Sequence, residues 1–208
     1  MPDHLDLWRR NRGRIPWRDL APPLTGPVTG RRDGAADYAE STAGRDPERA
    51  NRLLDALALV RAAAATDAPL DFGMLAGWQA TVLGGPEPGF RRGPAYAKGG
   101  RERYGLAVDT PSCFAACLAE AADGTVPVAA RAARVYLDVA FFHPFTDGNG
   151  RAALLAMQFV LHRDGVVLDL VAPVTVVRRA DDQGGAEALV RLVHALIEGT
   201  RRRARSTR

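Results

Sequence analysis

The nine residues His143-Pro144-Phe145-Thr146-Asp147-Gly148-Asn149-Gly150-Arg151 place a base, a carboxylate, two glycines and a fixed cation in one short stretch. Apolar residues recur at helical spacing before it, in residues 127–142, and after it, in residues 152–162. Pro144 disfavours continuing the first helix through its predecessor, and Gly165 is a typical stop for the second. The stretch is therefore predicted to be a loop between two helices, which indicates a mainly α-helical fold.

The composition of this loop is typical of an anion site with a base beside it. The two glycines of the turn at 148–150 permit backbone angles that side chains disfavour, so the N–H groups there can point into one concavity at the start of a helix. Arg151 is placed to hold a bound anion, and Asp147 is a hard oxygen ligand suited to Mg²⁺. His143 titrates near neutral pH and can take a proton from a hydroxyl. These residues predict attack of a hydroxyl on a metal-bound phosphoanhydride.

The stretch resembles the signature of Fic-domain proteins, His-x-Phe-x-(Asp/Glu)-Gly-Asn-Gly-Arg-x-x-Arg, over nine consecutive positions. The resemblance implies a mainly α fold, a Fic-like helical bundle with a small β-hairpin flap. It implies that His143 is the catalytic base and that Asp147 holds Mg²⁺. The residues that it implicates in binding the phosphates of the nucleotide are Gly148, Asn149, Gly150 and Arg151. The implied reaction is transfer of a nucleoside monophosphate, AMP from Mg-ATP, to a hydroxyl side chain of a target protein.

The signature breaks at its last position, where Leu154 stands in place of the second arginine. In the family, that arginine contacts the terminal phosphates of the donor and pairs with an inhibitory glutamate. Arg91, Arg92 or Arg163 could replace it through space, or the donor could lack a γ-phosphate. The nearest match to the inhibitory segment is residues 29–34, which carry aspartate instead of glutamate. This pattern is short enough to arise by chance.

Two alternative functions stay open. One is transfer of another phosphate-containing group, either from a different nucleotide donor or as a kinase does. The kinase-like toxin branch of this superfamily reads Gly-Asn-Lys-Arg, so the Gly-Asn-Gly-Arg of residues 148–151 argues against it. The other is a catalytically weak module that binds a nucleotide or a partner, which Leu154 favours.

Residues 90–108 are predicted to form a loose hairpin around a glycine-rich turn. The resemblance places a flap at this position, which pairs with a segment of the target protein by strand addition. Phe90, Arg91 and Arg92 are therefore candidates for docking the target, and the two arginines also for touching phosphate. A solvent loop with ordinary surface arginines fits the same pattern equally well.

The chain is divided into an N-terminal arm (1–35), a Fic-like domain (36–200) and a basic C-terminal tail (201–208). The arm lacks clear periodicity and is expected to be irregular and packed on the domain or over its cleft. The tail is expected to be a frayed, solvated end. The domain contains four further predicted helices, at residues 48–65, 70–83, 111–122 and 186–203.

Charge and hydropathy predict the surroundings of the protein. The formal net charge of +4 is more than accounted for by the five arginines of residues 201–208, so the body of the chain is not basic and a nucleic acid partner is not predicted. No run of about eighteen apolar residues occurs, and the N-terminus does not resemble a signal peptide. We therefore expect a cytoplasmic protein without a membrane partner.

Overall fold

The computed structural model describes residues 2–206, and helices make up most of that range. The mainly α prediction is confirmed. The eight α-helices among the described residues are α1 (His4–Arg12), α2 (Gly34–Ser41), α3 (Pro47–Ala64), α4 (Phe72–Leu83), α5 (Thr110–Ala119), α6 (Val128–Phe142), α7 (Asn149–Arg163) and α8 (Gln183–Arg205). The four strands are β1 (Val28–Thr29), β2 (Ala95–Ala97), β3 (Glu102–Tyr104) and β4 (Val166–Val167). No helix in residues 2–206 has the length and apolar character needed to cross a membrane.

The core is built around α6 and α7, the two helices that flank the signature loop. Almost every residue of α6 is buried, and its small alanines allow neighbouring helices to approach closely. It packs against α7 and α8, while α7 also packs against α3. Both ends of the loop are therefore anchored in the most buried part of the molecule.

Capping aspartates fix where several helices begin. Asp46 accepts a hydrogen bond from the backbone N–H of Arg49 at 2.9 Å and starts α3. Asp71 does the same for Met74 at 2.8 Å and starts α4. Such caps satisfy N–H groups that have no partner inside the helix, so the sequence itself sets these boundaries.

The predicted hairpin forms, with β2 and β3 paired antiparallel so that Ala95 faces Tyr104. Lys98 turns the chain in the left-handed region at φ 54°. On the far side of β3, Arg103 forms a bridge with Asp3. The outer edge of β3 is thus partly covered by the N-terminus. A separate parallel pair joins β1 to β4.

The expectation of an irregular arm is wrong for its first part, because α1 occupies His4–Arg12. The helix is stabilised by partners that are distant in sequence. Trp8 is buried and donates from Nε1 to Asp138 on α6 at 3.0 Å, and Arg12 pairs with the same carboxylate at 2.7 Å. Polar residues dominate α1, so its own periodicity gives no clear helical signal. The arm packs on the domain, as expected.

The expected frayed tail is also wrong over most of its length, since α8 continues to Arg205. Arg203 donates from Nε to the Asp169 carboxylate at 2.6 Å, and Arg201 pairs with Glu198 at 2.6 Å. These ion pairs and the preceding helical turns extend the helix. The last two positions of the predicted tail, 207 and 208, lie outside the described residues.

Candidate functional site

Residues 143–148 of the signature stretch form the predicted loop between α6 and α7, which begins and ends in left-handed backbone, and residues 149–151 form the first turn of α7. His143 ends α6 at φ 47°, a conformation that is uncommon for a residue with a side chain. Gly148 precedes α7 at φ 75°. A Cβ at Gly148 would lie 2.3 Å from Nε2 of Gln79, which donates to the Asp147 carbonyl at 2.7 Å. Only glycine fits this position, on both conformational and steric grounds.

No side chain caps the N-terminus of α7 within the described residues. The N–H of Arg151 donates to the Gly148 carbonyl at 2.9 Å, so the N–H groups of Asn149 and Gly150 are the ones that remain available for an anion, and the helix dipole adds to the attraction. This arrangement fits the anion site predicted from the two glycines, which stays a prediction.

The Asn149 side chain shapes the loop rather than facing the anion site. Its amide donates to the Phe145 carbonyl at 2.9 Å and accepts from the Phe145 N–H at 3.0 Å. Phe145 is buried and stacks on Phe72 at a centroid distance of 5.6 Å. Asn149 thus contributes backbone to the anion site, while its side chain holds the loop closed on the core.

His143 is half-buried, and its ring stacks on Tyr104 of β3 with centroids 4.5 Å apart and an interplanar angle of 18°. Burial lowers the pKa of His143 to about 4, because removal from water disfavours the imidazolium. The charges of Arg91 and Lys98 act in the same direction, and the Ala140 carbonyl and Glu102 oppose them. The imidazole is therefore neutral at physiological pH and able to accept a proton.

A polar network on the hairpin holds the ring that covers His143. Tyr104 donates its hydroxyl to the buried Glu102 carboxylate, and burial together with that bond raises the pKa of Tyr104. Glu102 also accepts from Nζ of Lys98, the one lysine of the sequence, at 2.7 Å. Sequence reasoning missed this network. The one local feature of the sequence that could indicate the network is that Glu102 and Tyr104 lie on the same face of a strand.

All six residues predicted for catalysis, phosphate and metal line one cavity of about 400 Å³, which we call the loop cavity. They are His143, Asp147, Gly148, Asn149, Gly150 and Arg151. The volume lies within the range of small-molecule sites in proteins. A second cavity of about 250 Å³, the hairpin cavity, shares His143 and Gly150 with it and reaches Lys98 and Arg178. His143 therefore stands where two cavities meet.

Asp147 and Arg151, two charged residues of the loop cavity, differ in exposure and in how firmly they are held. The Asp147 carboxylate is 77% exposed and lies 3.5 Å from Nη2 of Arg151, whose side chain is 13% exposed. Nη1 of Arg151 donates to the Val82 carbonyl at 3.1 Å, which fixes the guanidinium against the cavity wall. The cavity thus combines a held cation with a freely accessible carboxylate.

No group of three or more His, Cys, Asp or Glu side chains with metal-binding geometry occurs in residues 2–206. Mg²⁺ in nucleotide enzymes is commonly held by one or two carboxylates together with the phosphates of the substrate and water. The exposed Asp147 carboxylate fits that mode.

The docking role predicted for the start of the hairpin is wrong for Arg91, which is buried, whereas Phe90 is half-buried. Phe90 packs on Phe72 in the core, with ring centroids 5.6 Å apart. Arg91 is 5% exposed, and its guanidinium donates to backbone carbonyls, including that of Phe142. Its backbone N–H donates to the Pro144 carbonyl at 2.8 Å. Arg91 therefore binds the residues on both sides of His143. Arg92 is exposed and stays a candidate for docking the target.

None of the three arginines proposed to replace the second signature arginine lines the loop cavity. Arg91 is engaged as described, and Arg163 donates to the carbonyls of Thr66 and Ala68, both at 2.6 Å, near the other end of α7. Instead, Arg49 of α3 lines the cavity together with Leu154. Arg49 lies 102 residues before Arg151 in the sequence, so no local pattern indicates it.

The segment nearest to an inhibitory motif does not reach the site. Asp33 caps α2 by accepting from the N–H groups of Ala35 and Ala36, at 2.9 and 3.1 Å. Its other oxygen pairs with Arg61. A carboxylate engaged in this way has a structural role.

Comparison with known proteins places the chain. Three solved structures share its fold. A Fic domain containing signaling protein from Bacteroides thetaiotaomicron matches with a TM-score of 0.59 and 15% identity, over 94% of this chain and 87% of that one. Fic-1 from C. elegans matches with a TM-score of 0.61 and 14% identity, over 99% of this chain and 74% of that one, and IbpAFic2 in complex with adenylylated Cdc42 with a TM-score of 0.59 and 14% identity, over 96% and 71%. A search of curated proteins gives no match. Residues 70–161, which span α4, the hairpin, the signature loop and most of α7, match the Fic/DOC family. Residues 70–161 are thus similar in sequence to the Fic/DOC family, and the chain shares the fold of solved Fic-domain structures.

Proposed function

We propose that this protein transfers a nucleoside monophosphate, AMP from Mg-ATP, to a hydroxyl side chain of a target protein. The observation that carries the proposal is the loop cavity, where a neutral, half-buried imidazole, an uncapped helix N-terminus, an exposed carboxylate and a held arginine meet. Members of the Fic/DOC family transfer nucleotides or other groups to proteins. The related structure of IbpAFic2 contains adenylylated Cdc42.

The residues of the loop divide the reaction between them. The phosphate to be transferred binds the N–H groups at the start of α7 and the Arg151 guanidinium. The hydroxyl oxygen of the target attacks its phosphorus, the bond to pyrophosphate breaks, and His143 takes the hydroxyl proton. Asp147 would hold Mg²⁺, which neutralises charge on the phosphates when bound.

The position of His143 fits a base that must meet two substrates. It lies at the junction of the loop cavity and the hairpin cavity, so a nucleotide in one and a side chain from the other side can both approach it. The outer edge of β2 is the place for a target segment, because β3 is already bridged to Asp3. Tyr96 on β2 is 59% exposed and offers that segment an aromatic contact.

Leu154 favours a second candidate, a domain that binds a nucleotide or a partner with little catalysis. Its side chain lines the loop cavity and supplies no charge where the family signature has an arginine. The two candidates share the nucleotide site and differ in turnover.

Labelled ATP separates these functions. Purified protein is incubated with Mg²⁺ and ATP labelled on either the α- or the γ-phosphate, alone and with a cell lysate. Nucleotidyl transfer predicts protein labelling from the α-label alone, and labelling should be lost in His143→Ala. Labelling from the γ-label alone would indicate a kinase-like reaction. Nucleotide binding without labelling from either would support the binding module.

A further inference from the structure

The loop cavity adjoins a third cavity of about 280 Å³, which we call the arginine cavity because Arg45, Arg49 and Arg151 line it. Tyr38, Arg49 and Arg151 belong to both. The arginine cavity is formed by α2, by α3 with the turn before it, and by the first turn of α7. An extended ligand can therefore run from the anion site past Arg151 and between the other two arginines.

Two of these arginines, Arg45 and Arg49, are exposed, whereas the side chain of Arg151 is 13% exposed. Within residues 2–206, the guanidinium groups of Arg45 and Arg49 make no ion pair and no hydrogen bond, and Nε of Arg151 is buried without a partner. Burial, and then the positive charge of Arg49, lower the pKa of Arg151. Arg49 and Arg151 line the same two cavities, and their positive charges disfavour each other.

The carboxylates nearby do not neutralise this cluster. Asp46 lines the arginine cavity, but one of its oxygens caps α3 through the N–H of Arg49. Asp147 is 3.5 Å from Arg151 and largely exposed. Convergent guanidinium groups with unused donors match the geometry of phosphate oxygens, which they bind through paired hydrogen bonds.

We propose that Arg49, assisted by Arg45, binds the distal phosphates of a nucleoside triphosphate, the part that leaves as pyrophosphate. This inference rests on the proposed function for the identity of the ligand. Leu154 occupies the signature position of the second arginine and lines the loop cavity together with Arg49. A cation from α3 therefore takes over a contact that the signature helix does not supply.

Calorimetry with AMP, ATP and pyrophosphate tests the subsite. In Arg49→Gln the affinities for ATP and pyrophosphate should fall about 10- to 100-fold, the effect of losing hydrogen bonds between charged groups. The affinity for AMP should be unchanged, because AMP has no distal phosphates. Arg45→Gln should show the same pattern with a smaller loss. Arg49→Lys, which keeps the charge and loses the planar fork, should fall between wild type and Arg49→Gln.

Arg10→Gln is the matched control, because it removes one positive charge from an exposed position of α1 that lines neither cavity. It should leave all three affinities unchanged. Equal ATP and pyrophosphate affinities in wild type and Arg49→Gln would overturn the proposal. An equal loss for AMP and ATP, or wild type that binds neither ATP nor pyrophosphate, would overturn it as well.

The outcome is separable from that of the proposed function. If wild type labels no protein from ATP but its pyrophosphate binding depends on Arg49, the transfer reaction is wrong and the anion subsite stands. If wild type transfers the α-label and Arg49→Gln keeps the wild-type KM for ATP, the reaction stands and the subsite is wrong.

Discussion

The signature loop and the wall that faces it line the same cavity but are built in different ways. The nine signature residues, 143–151, comprise the loop and the first turn of α7, and their shape depends on near neighbours, such as the hydrogen bonds between Asn149 and Phe145. The wall comes from three separate segments, with Tyr38 on α2, Arg49 on α3 and Tyr96 on β2. The loop supplies reacting groups, and the wall supplies much of the surface around them.

Because of this difference, we expect the loop residues to affect the reaction itself and the wall residues to affect which donor and target are accepted. In the proposed reaction, a change in the loop would remove a group that every donor and every target needs. A change in the wall alters which phosphate chain or which target segment is accepted, because Arg49 and Tyr96 lie beside the reacting atoms in our proposal. Substitutions in the two regions should therefore have effects of different kind and size.

The largest effect should come from His143→Ala. Loss of a general base typically lowers the rate about 10²- to 10⁴-fold, and nucleotide affinity should change little because the phosphates bind elsewhere in the loop. The measurement is the initial rate of α-label transfer at saturating ATP, together with calorimetry.

His162→Ala is the control for this substitution. His162 also has a pKa lowered by burial and an Nε2 without a partner among the described residues, but it does not line the loop cavity. It should keep the wild-type rate. A His143→Ala variant with more than about a tenth of wild-type turnover would remove His143 from the role of base.

The pH profile shows how the hairpin wall acts on the loop. Because the pKa of His143 is lowered to about 4, kcat/KM should hold as pH falls from 7 to 5 and decline through about pH 4. An ordinary histidine would already have lost about 97% of its base form at pH 5. Lys98→Gln removes a charge that lowers this pKa, so its decline should begin at higher pH. Circular dichroism at each pH checks folding, and a wild-type midpoint near 6.5 would contradict the burial argument.

Much of the fold and the loop is predictable from the sequence because the determinants are local. Helical periodicity and the positions of proline and glycine predict the loop between α6 and α7. The six residues predicted for catalysis, phosphate and metal line one cavity. Arg91 was misjudged because its burial depends on carbonyls of distant segments, including Phe142. Arg49 was missed because nothing in α3 distinguishes it from a solvated surface arginine.

A smaller effect is expected from Asp147→Ala, which tests the other charged group of the loop. Calorimetry should show Mg-ATP affinity at least about tenfold weaker, equal to about 1.4 kcal/mol, while metal-free ATP affinity stays near the wild-type value. Asp67→Ala, an exposed carboxylate outside the cavity, serves as control. Identical Mg-ATP affinity in Asp147→Ala and wild type would remove Asp147 from the metal site.

The smallest effect should come from Leu154→Arg in the wild-type background. If the contact of the second signature arginine with the terminal phosphates is simply lost, this substitution would restore it and raise the ATP affinity by on the order of 1.5–3 kcal/mol. Since Arg49 already lines the same cavity, we expect no gain or a slight loss, because the added charge repels Arg49 and Arg151. In the Arg49→Gln background, the same Leu154→Arg substitution should recover most of the lost ATP affinity.

Leu154 is 1% exposed, so an arginine there must extend its aliphatic stem along the core and place its charge in the cavity. Leu154→Met keeps the volume and adds no charge, and it should leave ATP affinity unchanged in both backgrounds. Thermal melts distinguish a loss of folding from a loss of binding. A gain of tenfold or more from Leu154→Arg alone would show that the contact is missing rather than replaced. Arg49 in the cavity wall would then not replace the missing signature arginine.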